Sequence, residues 1–425
     1  MIAIPFIYFT LLALYLMRKN GGVDISVFLL LVYAFSAGCS ILLDAMNLYD
    51  DNGVYERIPL SIEATISYCA LLTLSILPFR KVNSMTLRRV DVQSEWWVDA
   101  LAWVLIFTFF TTLLSTFANL DIALHTDLKD VRDEVYANEE SVRLTGFRWL
   151  LALPGTLFSQ FSPVAIVLYF INIAQQRKTT LFNWLLLLSS FTPILSAILI
   201  AGRTQPIYWF LSFSLLYLVF RPMLDKAQRR QALLPFIVLG SVIAVFIGAV
   251  TIARFATGRP GGDSGALDSV IAYSGQSFLN FNYFFCKYTA AEIHLDRIFP
   301  LTNYFIVHPG STLTDYRDMI WSASGLFIGV FYTFLGDLLV DLGHGGMWVY
   351  VLLFSLISYL VCRTANREGT MTLSRLLVVL VLVLIPLQGI FYYSYYKVNV
   401  GYFVVGTLLF SGWLHYRSKH NEVKA

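Results

Sequence analysis

The chain has 425 residues, of which 57% are hydrophobic, 16% aromatic and 13% charged, with a formal net charge of +3 and a mean hydropathy of +0.66. A soluble domain carries about 25% charge, so this chain has too little to cover a water-facing surface. That excludes a soluble enzyme, a disordered tail and a fibrous protein, and leaves an all-α polytopic integral membrane protein.

A membrane-crossing helix needs about 20 mainly apolar residues. In chain order eleven segments qualify: 2–17, 24–43, 60–78, 98–118, 148–174, 182–200, 205–220, 233–253, 346–362, 374–391 and 398–416. Two more are weak. Segment 268–290 carries Ser, Gln, Asn and Lys287, and segment 325–342 carries Asp337 and Asp341. Each aspartate would cost about 2.5–3.5 kcal/mol at mid-membrane. The weak segments are expected as amphipathic or re-entrant pieces of a long outer-face region, 254–345. Polar backbone at that depth is tolerable only under a cover of protein or water. Segment 119–147 is a second outer loop, rich in acid from Asp121 to Glu140. The whole chain, 1–425, reads as a single transmembrane domain.

Cations set the orientation. Arg18 and Lys19, Arg80, Lys81, Arg88 and Arg89, Arg177 and Lys178, then Arg221, Lys226, Arg229 and Arg230 fall on one set of loops. Arg363, Arg367, Arg417, Lys419 and Lys424 join them later. These loops are expected in the cytoplasm, with the N-terminus outside and the C-terminus inside. The run Phe391-Tyr392-Tyr393-Ser394-Tyr395-Tyr396 reads as part of an interfacial aromatic belt.

Cys39, Cys69, Cys286 and Cys362 form no CxxC, so neither a metal site nor a disulfide framework is expected. No GxxxxGK[ST] and no strand–GxGxxG–helix unit occurs, which argues against ATP- or dinucleotide-driven chemistry. No cofactor and no nucleic-acid partner is expected.

The informative charges lie on the outer side. Arg203 sits in a very short turn between two strong spans. Arg254 ends span 233–253, Arg259 follows in a Gly/Pro-rich loop, Arg317 lies in Asp315-Tyr316-Arg317-Asp318, and Arg143 belongs to the acidic loop. A guanidinium donates two parallel hydrogen bonds and stays charged, which suits a phosphate or pyrophosphate. Headgroup contact or ion pairing on neighbouring loops is the competing reading. Asp337 and Asp341 stand four apart and share one helix face. That face must meet water, partners or a site. His344 follows in Gly343-His344-Gly345-Gly346. These three are candidates for a general base or for orienting a hydroxyl; capping and glycine-turn chemistry is the alternative. His308, in Val307-His308-Pro309-Gly310, is a further binding candidate.

The stretch from Thr333 through Asp341-Leu342-Gly343 to Gly346 resembles the "T-x-x-x-x-x-x-x-D-[FL]-G-x-x-G" signature of Wzy-type O-antigen and oligosaccharide repeat-unit polymerases. Gly202-Arg203 and Arg254 resemble further landmarks of that family. The resemblance implies a GT-C-like bundle of about 11–13 transmembrane helices with long periplasmic loops in a bacterial inner membrane. It implies an enzyme, a metal-independent and inverting glycosyltransferase. Its substrate would be an undecaprenyl-pyrophosphate-linked oligosaccharide, polymerised into O-antigen or a related surface polysaccharide. A chain-length regulator and a flippase would be pathway partners. The sequence leaves three rivals open: an O-antigen ligase, a flippase or transporter for lipid-linked oligosaccharides, and a non-catalytic membrane subunit.

Overall fold

The computed structural model describes residues 1–49, 57–118, 147–198, 204–256, 266–288, 295, 297–307, 313–366 and 368–424. The chain is a helical multi-pass membrane protein. By length and composition, seven helical stretches among the described residues suffice to cross a membrane: Ile25–Ala45, Ile62–Thr86, Glu95–Phe117, Leu150–Gln175, Thr180–Ala197, Thr333–Ala365 and Val398–His420. Helices also occupy the other expected spans, at Ala3–Asn20, Thr204–Phe220, Lys226–Ala256 and Leu373–Gln388.

Two expected spans are broken. The first is divided between Phe147–Phe158 and Ser162–Gln175, the second between Thr180–Ser189 and Thr192–Ile198. Pro163 and Pro193 sit just after the breaks and supply no amide proton. The breaks bond to each other, Ser162 Oγ donating to the Ser190 carbonyl at 2.5 Å. Trp209 Nε1 donates to Ser190 Oγ at 2.8 Å. Irregular backbone is thus satisfied by protein, as lipid requires.

The weak segment 268–290 forms helix α1, Ala266–Lys287, packed inside the bundle. The polar residues that made it a poor lipid-facing span point at other helices. Ser277, Asn280 and Asn282 are buried. Ser277 Oγ donates to the Ile390 carbonyl at 2.9 Å, and Asn282 Oδ1 accepts from the Ser61 amide at 2.9 Å. At Gly275 the backbone meets helix Ile25–Ala45 so closely that a Cβ would lie 2.5 Å from the Cys39 carbonyl oxygen. Ser40 Oγ donates to the Gly275 carbonyl at 2.5 Å. Small residues and hydroxyl bonds hold helices together where lipid offers no hydrophobic drive.

The cationic loops gather at one end. Arg80 bonds Asn20 Oδ1 through Nε and Nη2, at 3.2 and 2.9 Å. Residues Arg89–Asp91 and Thr370–Thr372 form a two-stranded parallel ribbon, an element the helical reading did not foresee. Gln175 Nε2 donates to the Val90 carbonyl at 2.5 Å, and Lys178 pairs with Asp99 at 2.6 Å. From this ribbon helix α2, Leu373–Gln388, runs 16 residues, about 24 Å at 1.5 Å per residue. Its far end, at the other extremity of the bundle, is where the candidate site lies.

Candidate functional site

The site forms where helix α3, Thr333–Ala365, begins. The first amides of a helix have no partner within it. Here the turn after α2 accepts them: Tyr332 N and Thr333 N donate to the Phe391 carbonyl at 3.1 and 2.9 Å, and Phe334 N to the Gly389 carbonyl at 2.8 Å. Phe391 and Tyr393 are buried there, and Tyr395 is buried beside them with its hydroxyl on the Val381 carbonyl of α2, so these three rings are internal structure rather than an interfacial belt.

Asp337 and Asp341 lie on one face of α3, 1% and 0% exposed. Neither faces water. Asp337 forms an ion pair with Arg297 and accepts from the Tyr393 amide and from Tyr332 Oη, the last at 2.9 Å. Asp341 accepts from Tyr316 Oη at 2.5 Å and from the Arg297 and Ile298 amides at 2.9 and 3.1 Å. Arg297, 4% exposed, donates Nη1 to Tyr332 Oη at 2.6 Å and lies 5.5 Å above the Tyr316 ring. A relay results: Arg297 donates to Tyr332, and Tyr332 donates to Asp337. Phe284 stacks on Tyr332 at 4.5 Å between centroids. Burial raises the Tyr316 hydroxyl well above its ordinary range, with the Asp341 charge adding to it. Burial also raises Tyr332, against the opposing Arg297 charge. Both stay protonated as donors at neutral pH.

All four carboxylate oxygens are thus engaged, as buried charge demands. The two aspartates tie four pieces of chain to α3: the turn at Arg297–Ile298, the segment at Tyr393, Tyr332, and helix α4, Leu313–Ser324, through Tyr316. Each of these oxygens already accepts at least one bond, so both carboxylates are held in place by the protein around them.

His344 lies beyond a break. Gly343 has φ 70° and ψ −179° inside α3, a combination open only to glycine. The helix resumes after it, carrying Gly345 and Gly346. His344 is exposed and stands edge-on to Phe285 at 4.6 Å. Its Nε2 lies 2.9 Å from the Phe285 carbonyl. A carbonyl only accepts, so Nε2 is the donor in that contact.

Arg317 follows Tyr316 on α4, half-buried, and its charge acts on Tyr332. It is the one binding candidate whose described side chain the fold brings to the cluster. Arg254 lies in helix Lys226–Ala256, with its side chain outside the described residues. Arg143, Arg203, Arg259 and His308 also lie outside them. Sequence reasoning missed Arg297, Tyr316, Tyr332 and the Tyr393 amide. The available signal was the pair of apolar-helix aspartates, which requires a cation; nothing in the spacing says which one.

No family model, no curated protein and no solved structure matches the chain.

Proposed function

We propose that this chain is an inner-membrane glycosyltransferase of the GT-C type. It would polymerise oligosaccharide repeat units carried on a polyprenyl pyrophosphate, as Wzy-type polymerases do. The supporting observation is a coincidence of place. The residues that carry the family resemblance, Thr333 to Gly346, form the buried Arg297–Asp337–Asp341 cluster and the His344 break. They lie about 24 Å along α2 from the cationic ribbon. By the positive-inside rule that ribbon is cytoplasmic, the site is at the periplasmic interface, and the C-terminus is inside.

The roles assigned in this reading are these. Asp337 and Asp341 are positioning residues that fix α4 and the Arg297 turn. Arg317, set beside Tyr316 by the Asp341 bond, faces the leaving pyrophosphate, with Arg143, Arg203, Arg254, Arg259 and His308 as further binding candidates from the outer loops. His344 is assigned as the base: with Nε2 held at the Phe285 carbonyl, Nδ1 is the ring atom left to accept a proton. The acceptor hydroxyl oxygen attacks the anomeric carbon of the lipid-linked glycan. The bond from that carbon to the pyrophosphate oxygen breaks. The hydroxyl proton passes to His344 Nδ1, and the lipid pyrophosphate leaves with the electron pair, stabilised by arginine. A single displacement inverts the anomeric centre.

The test is chain growth by purified protein given only lipid-linked repeats. A ladder without nucleotide sugar, ATP or divalent metal supports the reading. Transfer to a lipid core with no ladder would make the chain a ligase.

A further inference from the structure

On the opposite face of α1 from Phe284 and Tyr288, a cleft of about 430 Å³ opens between the end of helix Ile25–Ala45, the segment 57–60 and α1. Asp44, Tyr49, Arg57, Pro59, Leu279 and Asn282 line it. Its size falls within the range of about 300–1,000 Å³ typical of small-ligand sites.

Its chemistry is specific. Asp44 and Arg57 form an ion pair at the wall, so among the described side chains lining the cleft the one guanidinium is already matched by a carboxylate. A phosphate would have to compete with Asp44 for that guanidinium. Tyr49 Oη donates to Asn280 Oδ1 at 2.8 Å. Asn282 is fixed by the Ser61 amide at 2.9 Å. Leu279 and Pro59 supply apolar surface. A neutral, polyhydroxylated ring fits this set: hydroxyls meet carboxylate, guanidinium and amide, and C–H faces meet leucine and proline.

The cleft is also coupled to the aspartate site. Asn280, which accepts from Tyr49, donates Nδ2 to the Phe331 carbonyl at 2.8 Å. Phe331 immediately precedes Tyr332, the phenol that bonds Asp337. One amide thus joins the cleft wall to the relay across α1.

We propose that this cleft is a binding subsite for the terminal, uncharged sugar of a glycan. This rests on the glycosyltransferase reading, where it would hold the acceptor end. The experiment uses the detergent-solubilised full chain and the host's own repeat unit, freed from its lipid by mild acid. Binding is titrated for the wild type, for Asp44→Asn and for the cleft-filling Leu279→Trp, with melting temperature checking the fold of each. The expected result is binding that weakens at least tenfold in both variants at unchanged melting temperature. Should Leu279→Trp misfold, the near-isosteric Asp44→Asn decides alone. Wild-type binding that Asp44→Asn leaves unchanged overturns the subsite. So does absence of binding, or binding of glycerophosphate in place of the glycan, which would make the cleft a lipid-headgroup site. Chain growth measured in parallel separates the two claims. Growth with an insensitive cleft sinks only the subsite, and a sensitive cleft without growth sinks only the polymerase reading.

Discussion

Arg297 carries the heaviest electrostatic load at the level of single residues. It neutralises Asp337, donates to Tyr332, and its backbone amide holds Asp341. Removing one partner of a buried pair leaves the other charge stranded, at about 3–5 kcal/mol. Arg297→Met is therefore expected to destabilise the protein by about that much, and Arg297→Met combined with Asp337→Leu to recover most of it. Denaturant unfolding in micelles reads both; equal losses in the single and double variants would contradict the pairing. Tyr316→Phe removes one bond to a buried carboxylate and should cost about 1.5–3 kcal/mol by the same assay. His344 behaves oppositely, because its exposed ring supports little else. His344→Asn is expected to slow chain growth by about 10²–10⁴-fold at unchanged melting temperature. A drop in melting temperature with normal turnover would make it structural. Asp337 and Asp341 were legible in the sequence as charged groups on an apolar helix, and His344 as a candidate in the glycine turn after them. Their partner was not, because Arg297 lies 40 residues before Asp337 and no period connects the two.

Helix elements were legible where an apolar run was also a lipid-facing surface. Helix Ile25–Ala45 matches its expected bounds within a few residues. Helix α1 was underread because hydropathy assumes lipid as the surroundings, whereas Ser277, Asn280 and Asn282 face protein partners. The breaks at Ser159–Phe161 and Ser190–Phe191 were hidden because each is only two or three residues long, too short to interrupt an apolar run. Glycine-turn chemistry was one of two readings of the signature's glycine-rich end, and the backbone breaks there at Gly343. Gly343→Ala would force a side chain into a glycine-only conformation, at about 1–3 kcal/mol. The expected outcome is a lower melting temperature together with loss of activity, because His344 follows directly. Normal stability and activity in that variant would show that the break is dispensable.

Across the whole molecule, the arrangement separates two kinds of charge. Cations of the loops expected in the cytoplasm lie around the Arg89–Asp91 and Thr370–Thr372 ribbon. The buried pair of Arg297 and Asp337 sits at the other extremity, inside protein. This separation makes the proposed topology testable. A cysteine introduced at exposed Glu368 should react only with membrane-permeant reagents, and one at exposed Trp321 should also react with impermeant reagents added from outside. The reverse pattern would invert the orientation and place the site in the cytoplasm.

The central claim is that this site joins glycans from an already activated lipid donor. Its most direct test is reconstitution of the purified chain with lipid-linked repeat units alone, resolving the products by length. The account predicts a ladder of polymers, absent in folded His344→Asn protein, with no requirement for nucleotide sugar, ATP or divalent metal. No chain growth, or growth that depends strictly on any of those three, would contradict it.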